Sequence, residues 1–137
     1  MISKTAAHAV RAMIYLAELP DGAYAGAAQI AREIRAPENY LGKLLQGFSR
    51  TGLVVSQKGH GGGFRLAREP RRISLFDIVD PLDQVSRKSG CLLGRRRCSD
   101  QNGCAVHPRW KKVQETYLSF LQETTLADVV GDGGLSG

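Results

Sequence analysis

The sequence predicts a mainly α-helical fold with one small β-hairpin. Three observations point to it. Apolar residues recur at helical spacing over residues 3–51 and again over 105–123. Between these stretches, residues 53–68 alternate apolar and polar around a run of glycines, the pattern of two short strands and a turn. Pro20, Gly22, Pro37, Gly52 and Pro81 cut the chain into short elements.

The first helix covers residues 3–19, with Ala7, Val10, Ile14 and Ala17 as its stripe and Met13 and Leu16 widening it. Ser3 is placed to cap it, because a serine oxygen can accept from an amide that the first turn leaves unpaired. Pro20-Asp21-Gly22 ends it. The stretch AGAAQIAREIRAP gives a short helix over 26–35 that faces Ala28, Ile30, Ala31 and Ile34 inward. Pro37 opens a third helix, PENYLGKLLQGFSRTG, since a first-turn residue needs no amide proton. Its apolar face is Tyr40, Leu41, Leu44, Leu45 and Phe48, and Gly52 stops it.

LVVSQKG and GFRLARE then pair as a hairpin whose tip holds Gly59 and Gly61 to Gly63. SLFDIVDPLD is a short helix capped by Ser74 and closed or kinked by Pro81. Residues 84–104 show no period and read as a loop. AVHPRWKKVQETYLSFLQE forms a long helix over 105–123, with Val106, Trp110, Val113, Tyr117, Phe120 and Leu121 on one face. TTLADVV gives a last short helix and GDGGLSG a frayed tail.

The chain has 137 residues, of which 42% are hydrophobic, enough for one core. Its 19 Lys and Arg against 13 Asp and Glu give a net charge of +6. The charge is uneven. Residues 85–112 hold eight basic residues against one acidic, net +7, while residues 113–137 hold four acidic and no basic, net −4. A basic balance favours a polyanionic partner. No apolar run approaches the ~18 residues of a membrane span. The N-terminal stretch carries Arg11 and Glu18 and reads as an amphipathic helix rather than a secretory signal, which predicts a cytoplasmic protein.

A short helix, a turn, a second helix and a glycine-tipped hairpin are the layout of a winged helix-turn-helix, whose second helix can enter the major groove of DNA. Off the apolar face of the 37–51 helix stand Glu38, Asn39, Gly42, Lys43, Gln46, Ser49 and Arg50. Such residues bond to base edges or phosphates. Asn39, Lys43 and Gln46 are the predicted groove readers, with Tyr40 and Arg50 beside them. The wing QKGHGGGFR places Lys58, His60 and Arg65 around Gly61 and Gly62, where the backbone can approach DNA closely. The glycine run lacks the GK[ST] ending of a phosphate loop and the strand-to-helix setting of a dinucleotide fingerprint.

All three cysteines fall in CLLGRRRCSDQNGCAVH, spaced Cys91-x6-Cys98-x5-Cys104-x2-His107. Thiolates are soft ligands that suit iron–sulfur clusters, zinc and copper(I). Cysteine alone cannot supply four ligands here, and His107 is the nearest further donor. Arg95, Arg96 and Arg97 would lower thiol pKa values and offset the charge of a thiolate-bound cluster. A zinc site, or thiols without metal, uses the same residues. A redox enzyme or electron carrier would need a second cofactor motif or a catalytic pair, and the sequence has neither. The chain is therefore not expected to be an enzyme.

The chain resembles the Rrf-two family of winged-helix regulators, which includes the iron–sulfur regulator IscR and the nitric-oxide regulator NsrR. The resemblance runs from Ile2 to about Val130. It is carried by SKTAAHAVRAMIYLA, by AQIAREIRAPENYLGKLLQGFSRTGLVVSQKGHGGGFRLA, by ISLFDIVDPLD, by the spaced cysteines and by TLADVV. It implies a bacterial homodimer on a palindromic double-stranded DNA operator, acting as a repressor. The long C-terminal helix would pair the subunits, and Cys91, Cys98 and Cys104 would hold a 2Fe–2S or 4Fe–4S cluster. His107 matches the histidine ligand of IscR. Other members use an acidic residue of the partner's first helix, but Ala7 stands at that position, which leaves the adjacent His8 as the reserve. The implied division is DNA binding in 1–83, a cluster loop in 84–104, a dimer helix in 105–130 and a tail in 131–137. The alternative is the same fold with a zinc or cluster-free thiol switch.

Overall fold

The computed structural model describes residues 2–86 and 107–131, with the backbone alone for His107. Helix α1 (Lys4–Ala17) is its central pillar. Helices α2 (Ala27–Ile34), α3 (Glu38–Arg50), α4 (Leu75–Asp83) and α6 (Leu126–Val129) all pack on it, as does strand β2 (Gly63–Leu66). The predicted stripe is rotated. Ala6, Ala9, Ala12, Met13, Ile14 and Leu16 are buried, while Ala7, Val10 and Ala17 are only half-buried. Surrounded on several sides, α1 has no single buried face, and its small alanines are what let neighbours come close.

Ser3 caps α1 as predicted, accepting from the Ala6 amide at 3.0 Å. Its own amide and hydroxyl donate to Asp83 at 2.8 and 2.5 Å. Asp83 is 8% exposed, the buried charged residue among those described. Two charge-assisted hydrogen bonds offset its desolvation and clamp the end of α4 to the start of α1.

The turn from α2 to α3 is made by Arg35 in the left-handed region, φ 57°. There the Ala36 amide reaches the Ala31 carbonyl at 2.9 Å. Pro37 sits at the N-cap of α3, one position ahead of the expected first turn. The far end of α3 closes as a Schellman motif. Gly52 at φ 84° donates to Ser49, and Leu53 donates to Phe48 at 2.9 Å. In α2, Ile30, Ala31 and Ile34 are buried as expected, but Ala28 is exposed because it faces away from α1 and α3.

Strands β1 (Val54–Gln57) and β2 form the predicted antiparallel hairpin, with Val54 opposite Leu66 and Gln57 opposite Gly63. A third segment joins it. Ala25 and Phe64 exchange both backbone hydrogen bonds, at 2.9 and 2.8 Å. At Gly63 (φ 137°) a Cβ would collide with the Ala25 carbonyl, so the approach requires glycine. At Gly62 a Cβ would collide with the Gln57 carbonyl oxygen. The glycine run is thus demanded by the turn and by the docking of the hairpin.

A short 3-10 turn at Pro70–Arg72 leads into α4. Ser74 caps α4 in a capping box with Asp77. Helix α4 runs through Pro81 and ends at Asp83, with Gln84 left-handed at φ 51°. Ser86 then turns back to Asp80 with bonds of 2.9 and 3.1 Å. Helix α5 (His107–Glu123) packs on α4. After it, Thr124 accepts from Leu75 at 2.8 Å and Leu126 donates to Ile73 at 2.9 Å, a bridge the sequence did not announce. Leu126 is fully buried in the main core with Met13, Ile73 and Ile78. Leu121 joins Ala6, Leu75 and Val79 in a second cluster.

The long helix does not present one face. Leu121 is buried at 2% exposure, Trp110 and Tyr117 are half-buried, and Val113 and Phe120 are 45% and 52% exposed. The Tyr117 hydroxyl is buried without a hydrogen-bond partner among the described residues. Burial first, and the nearby Asp83 carboxylate second, push the Tyr117 phenol above its ordinary value. While the phenol is neutral in both states it has no effect on the pH dependence. Above about pH 10 the unfolded chain ionises before the folded one, so stability falls. Tyr117→Phe is therefore expected to flatten the alkaline limb of a stability-versus-pH curve measured by urea unfolding. An unchanged limb refutes the role of this phenol.

Candidate nucleic-acid interface

Helix α3 turns its polar residues outward. Asn39, Lys43, Gln46 and Arg50 are exposed, and they repeat at three- and four-residue steps along one stripe. Tyr40 is half-buried, its ring meeting His8 edge to face at 5.8 Å between centroids. Leu41, Leu45 and Phe48 seat the helix on the core. Position 42 is half-buried at the edge of this stripe, where a Cβ would meet only Ala27 Cβ of α2 at 3.7 Å.

Beside α3 the hairpin places Lys58, His60, Gly61 and Arg65 in solvent, with Gly62 half-buried. These predicted wing residues fall on one projecting unit. Arg65 is set apart from the tip: its guanidinium lies over the Tyr24 ring, 4.9 Å from the centroid. Gln29 on α2 donates to the Tyr15 hydroxyl at 2.7 Å. Sequence reading missed Tyr24, because a pairing segment as short as AYAG carries no period, and Gln29, which on α2 reads as an ordinary exposed polar residue.

Cys91, Cys98 and Cys104 lie outside the described residues, as does the side chain of His107, whose backbone begins α5. Among the described residues no group of three metal-ligating side chains comes together. The donor set fits an iron–sulfur cluster by its chemistry, three soft thiols and one imidazole. His8 is half-buried, and its Nδ1 is buried without a partner among the described residues. Its ring rests on Tyr40, as expected for a side chain about 100° around the helix from Ala7.

No helix among the described residues is long and apolar enough to cross a membrane. A family model described as Rrf2, iron-dependent transcriptional regulator, matches residues 2–132. An HTH-type transcriptional regulator of Aquifex aeolicus is 33% identical over 132 residues, covering 95% of this chain and 91% of that protein. Among solved structures, CymR, the global cysteine regulator of B. subtilis, superposes with a TM-score of 0.81 at 26% identity. The match covers 96% of this chain and 97% of CymR. IscR of T. potens superposes with a TM-score of 0.77 at 28% identity, covering 97% of this chain and 88% of IscR. These relatives are regulators rather than enzymes. The exposed helix, the wing and a match over nearly the whole length lead to one conclusion: the chain belongs to the Rrf2 family of DNA-binding transcriptional regulators.

Proposed function

We propose that this regulator is a cytoplasmic homodimeric repressor of a palindromic operator, with its hold on DNA set by an iron–sulfur cluster at Cys91, Cys98, Cys104 and His107. The observation that carries the reading is the exposed stripe of Asn39, Lys43, Gln46 and Arg50 beside a basic wing, followed in the same chain by three clustered cysteines. Asn39, Lys43 and Gln46 read the major groove, with Tyr40 at their edge. Lys58, His60, Gly61 and Gly62 enter the minor groove. Lys43, Arg50, Lys58 and Arg65 contact phosphates, so affinity falls steeply with salt.

Residues 1–83 bind DNA, 84–104 hold the cluster and 105–130 pair the subunits. Supporting the pairing, Val113, Tyr117 and Phe120 line an open groove of about 630 Å³ on α5, flanked by Arg109 and Lys112. A second copy of α5 fills it. Basic residues at the start of α5 and Glu115 and Glu123 further on favour an antiparallel pair.

When bound, the cluster supplies a ligation state that depends on iron, redox state or nitric oxide. The chain's own part is transmission. Asp83 holds α4 to α1, and Leu121 holds α5 to Ala6 and Val79, so a change between α4 and α5 is felt by the helix that carries α3. His107 is the fourth ligand; the engagement of His8 with Tyr40 supports that choice.

Anaerobic purification tests this. A brown protein with iron and sulfide, bleached by Cys98→Ala and altered by His107→Ala, is the expected result. If His107→Ala leaves the spectrum unchanged and His8→Ala alters it, the fourth ligand is His8. The likeness to CymR, a cysteine regulator by description, favours a second reading: the same fold with zinc or free thiols. A colourless protein with stoichiometric zinc, or with none, establishes that one instead.

A further inference from the structure

Ala25 pairs with Phe64 in antiparallel sense, so Tyr24 stands opposite Arg65 on the face of the small sheet turned from the core. On its other side Arg65 stands opposite Val55, which is also exposed. The Arg65 guanidinium lies 4.9 Å from the Tyr24 ring centroid, within the range where an aromatic face attracts a cation. Among the described residues no carboxylate forms an ion pair with Arg65, so its edge is available to an outside anion.

The location matters more than the contact. Tyr24 belongs to the segment that leads into α2, and Arg65 lies on β2 between Phe64 and Leu66, away from the tip glycines. The guanidinium therefore stands where the wing joins the helix-turn-helix. Recognition helix and wing enter neighbouring grooves, and a phosphate strand runs between them. Resting on the DNA-binding reading above, we infer that Tyr24 is a positioning residue. Its ring holds the Arg65 guanidinium ordered for a phosphate of that intervening strand. A loose arginine loses rotamer freedom when it grips a phosphate, and a stacked one has less to lose. The tyrosine hydroxyl takes no part.

The test uses the full chain and a DNA duplex that the protein itself selects from a random pool. Dissociation constants are measured by fluorescence anisotropy over a range of salt. Arg65→Ala is expected to weaken binding about tenfold and to reduce the salt slope by about one. Tyr24→Leu is expected to weaken it about two- to fivefold, and Tyr24→Phe to bind as the parent does. In an Arg65→Ala background, Tyr24→Leu should add nothing, because the ring acts only through the arginine. Thermal melts of each variant check folding, and Arg65→Lys, which keeps charge without the planar stack, should fall between parent and Arg65→Ala.

An equal loss from Tyr24→Leu with and without Arg65 overturns the inference, as does no loss at all. If Lys43→Ala weakens binding while Arg65→Ala does not, the inference fails alone. If Lys43→Ala and Arg50→Ala are also silent, the placement of the DNA interface fails with it.

Discussion

Gly63→Ala is expected to cost roughly 2–6 kcal/mol of folding stability and to abolish DNA binding. Two effects add. The residue sits at φ 137°, a region that side chains rarely adopt. A Cβ built there also overlaps the Ala25 carbonyl and stands 2.8 Å from the Gly26 nitrogen, both backbone atoms that cannot swing aside. Relief means giving up the two hydrogen bonds between Ala25 and Phe64, which dock the wing beside α2. For a domain of marginal stability, about 5–15 kcal/mol, that is a large fraction. Gly59→Ala is the control. It also has positive φ, 96°, but nothing lies within 4 Å of its Cβ position. Only the backbone term applies, and urea unfolding should show about 1 kcal/mol. If the two variants lose the same amount, the close approach at Gly63 is not what fixes this residue.

Leu126→Ala is expected to cost about 2–5 kcal/mol, although it lies near the end of the chain. Leu126 is 0% exposed and shares a cluster with Met13, Ile73 and Ile78. Its amide also bonds Ile73, so the residue is held by both packing and backbone. Truncation leaves a cavity between α1, α4 and α6 that the backbone bridge keeps from collapsing. Urea unfolding should show a lower midpoint with an unchanged slope. A loss below about 1 kcal/mol would mean that the last helix only rests on the surface.

The local rules carried far in this chain because its punctuation is chemical. Ser3, Ser74 and Gly52 act in the caps and stop that their residue types suggested. On α3, period alone gave Glu38, Asn39, Lys43, Gln46 and Arg50 as exposed, whereas Gly42 and Ser49, read the same way, are half-buried. What the sequence hid was contact between distant segments. The bridges at Ala25 and Thr125 involve single residues, too short to show alternation. The buried face of α1 was misjudged because a helix packed on several sides loses the one-faced pattern that periodicity detects. Pro81 was expected to close or kink α4. The helix instead continues two residues beyond it: proline forgoes only its own bond to the Asp77 carbonyl, and the Gln84 amide still bonds back to Asp80 at 2.8 Å. Gly42 and Gly63 look alike on paper, and only the neighbouring backbone tells that one is required and the other is not.

That difference bears on how such a regulator changes over generations. Gly42 and Gly47 lie inside α3, and neither is forced by crowding: one Cβ would meet Ala27 at ordinary contact distance, the other nothing within 4 Å. A glycine inside a helix is worse than alanine by about 0.5–1 kcal/mol. Position 42 lies three residues from Asn39 and four from Gln46, half-buried at the α2 edge of the exposed stripe proposed above to read DNA. On that proposed reading, a side chain mounted at position 42 stands at the edge of the DNA contacts and adds helix stability in the same step. The proposed recognition helix thus carries a position where its contacts can be altered with no cost in packing.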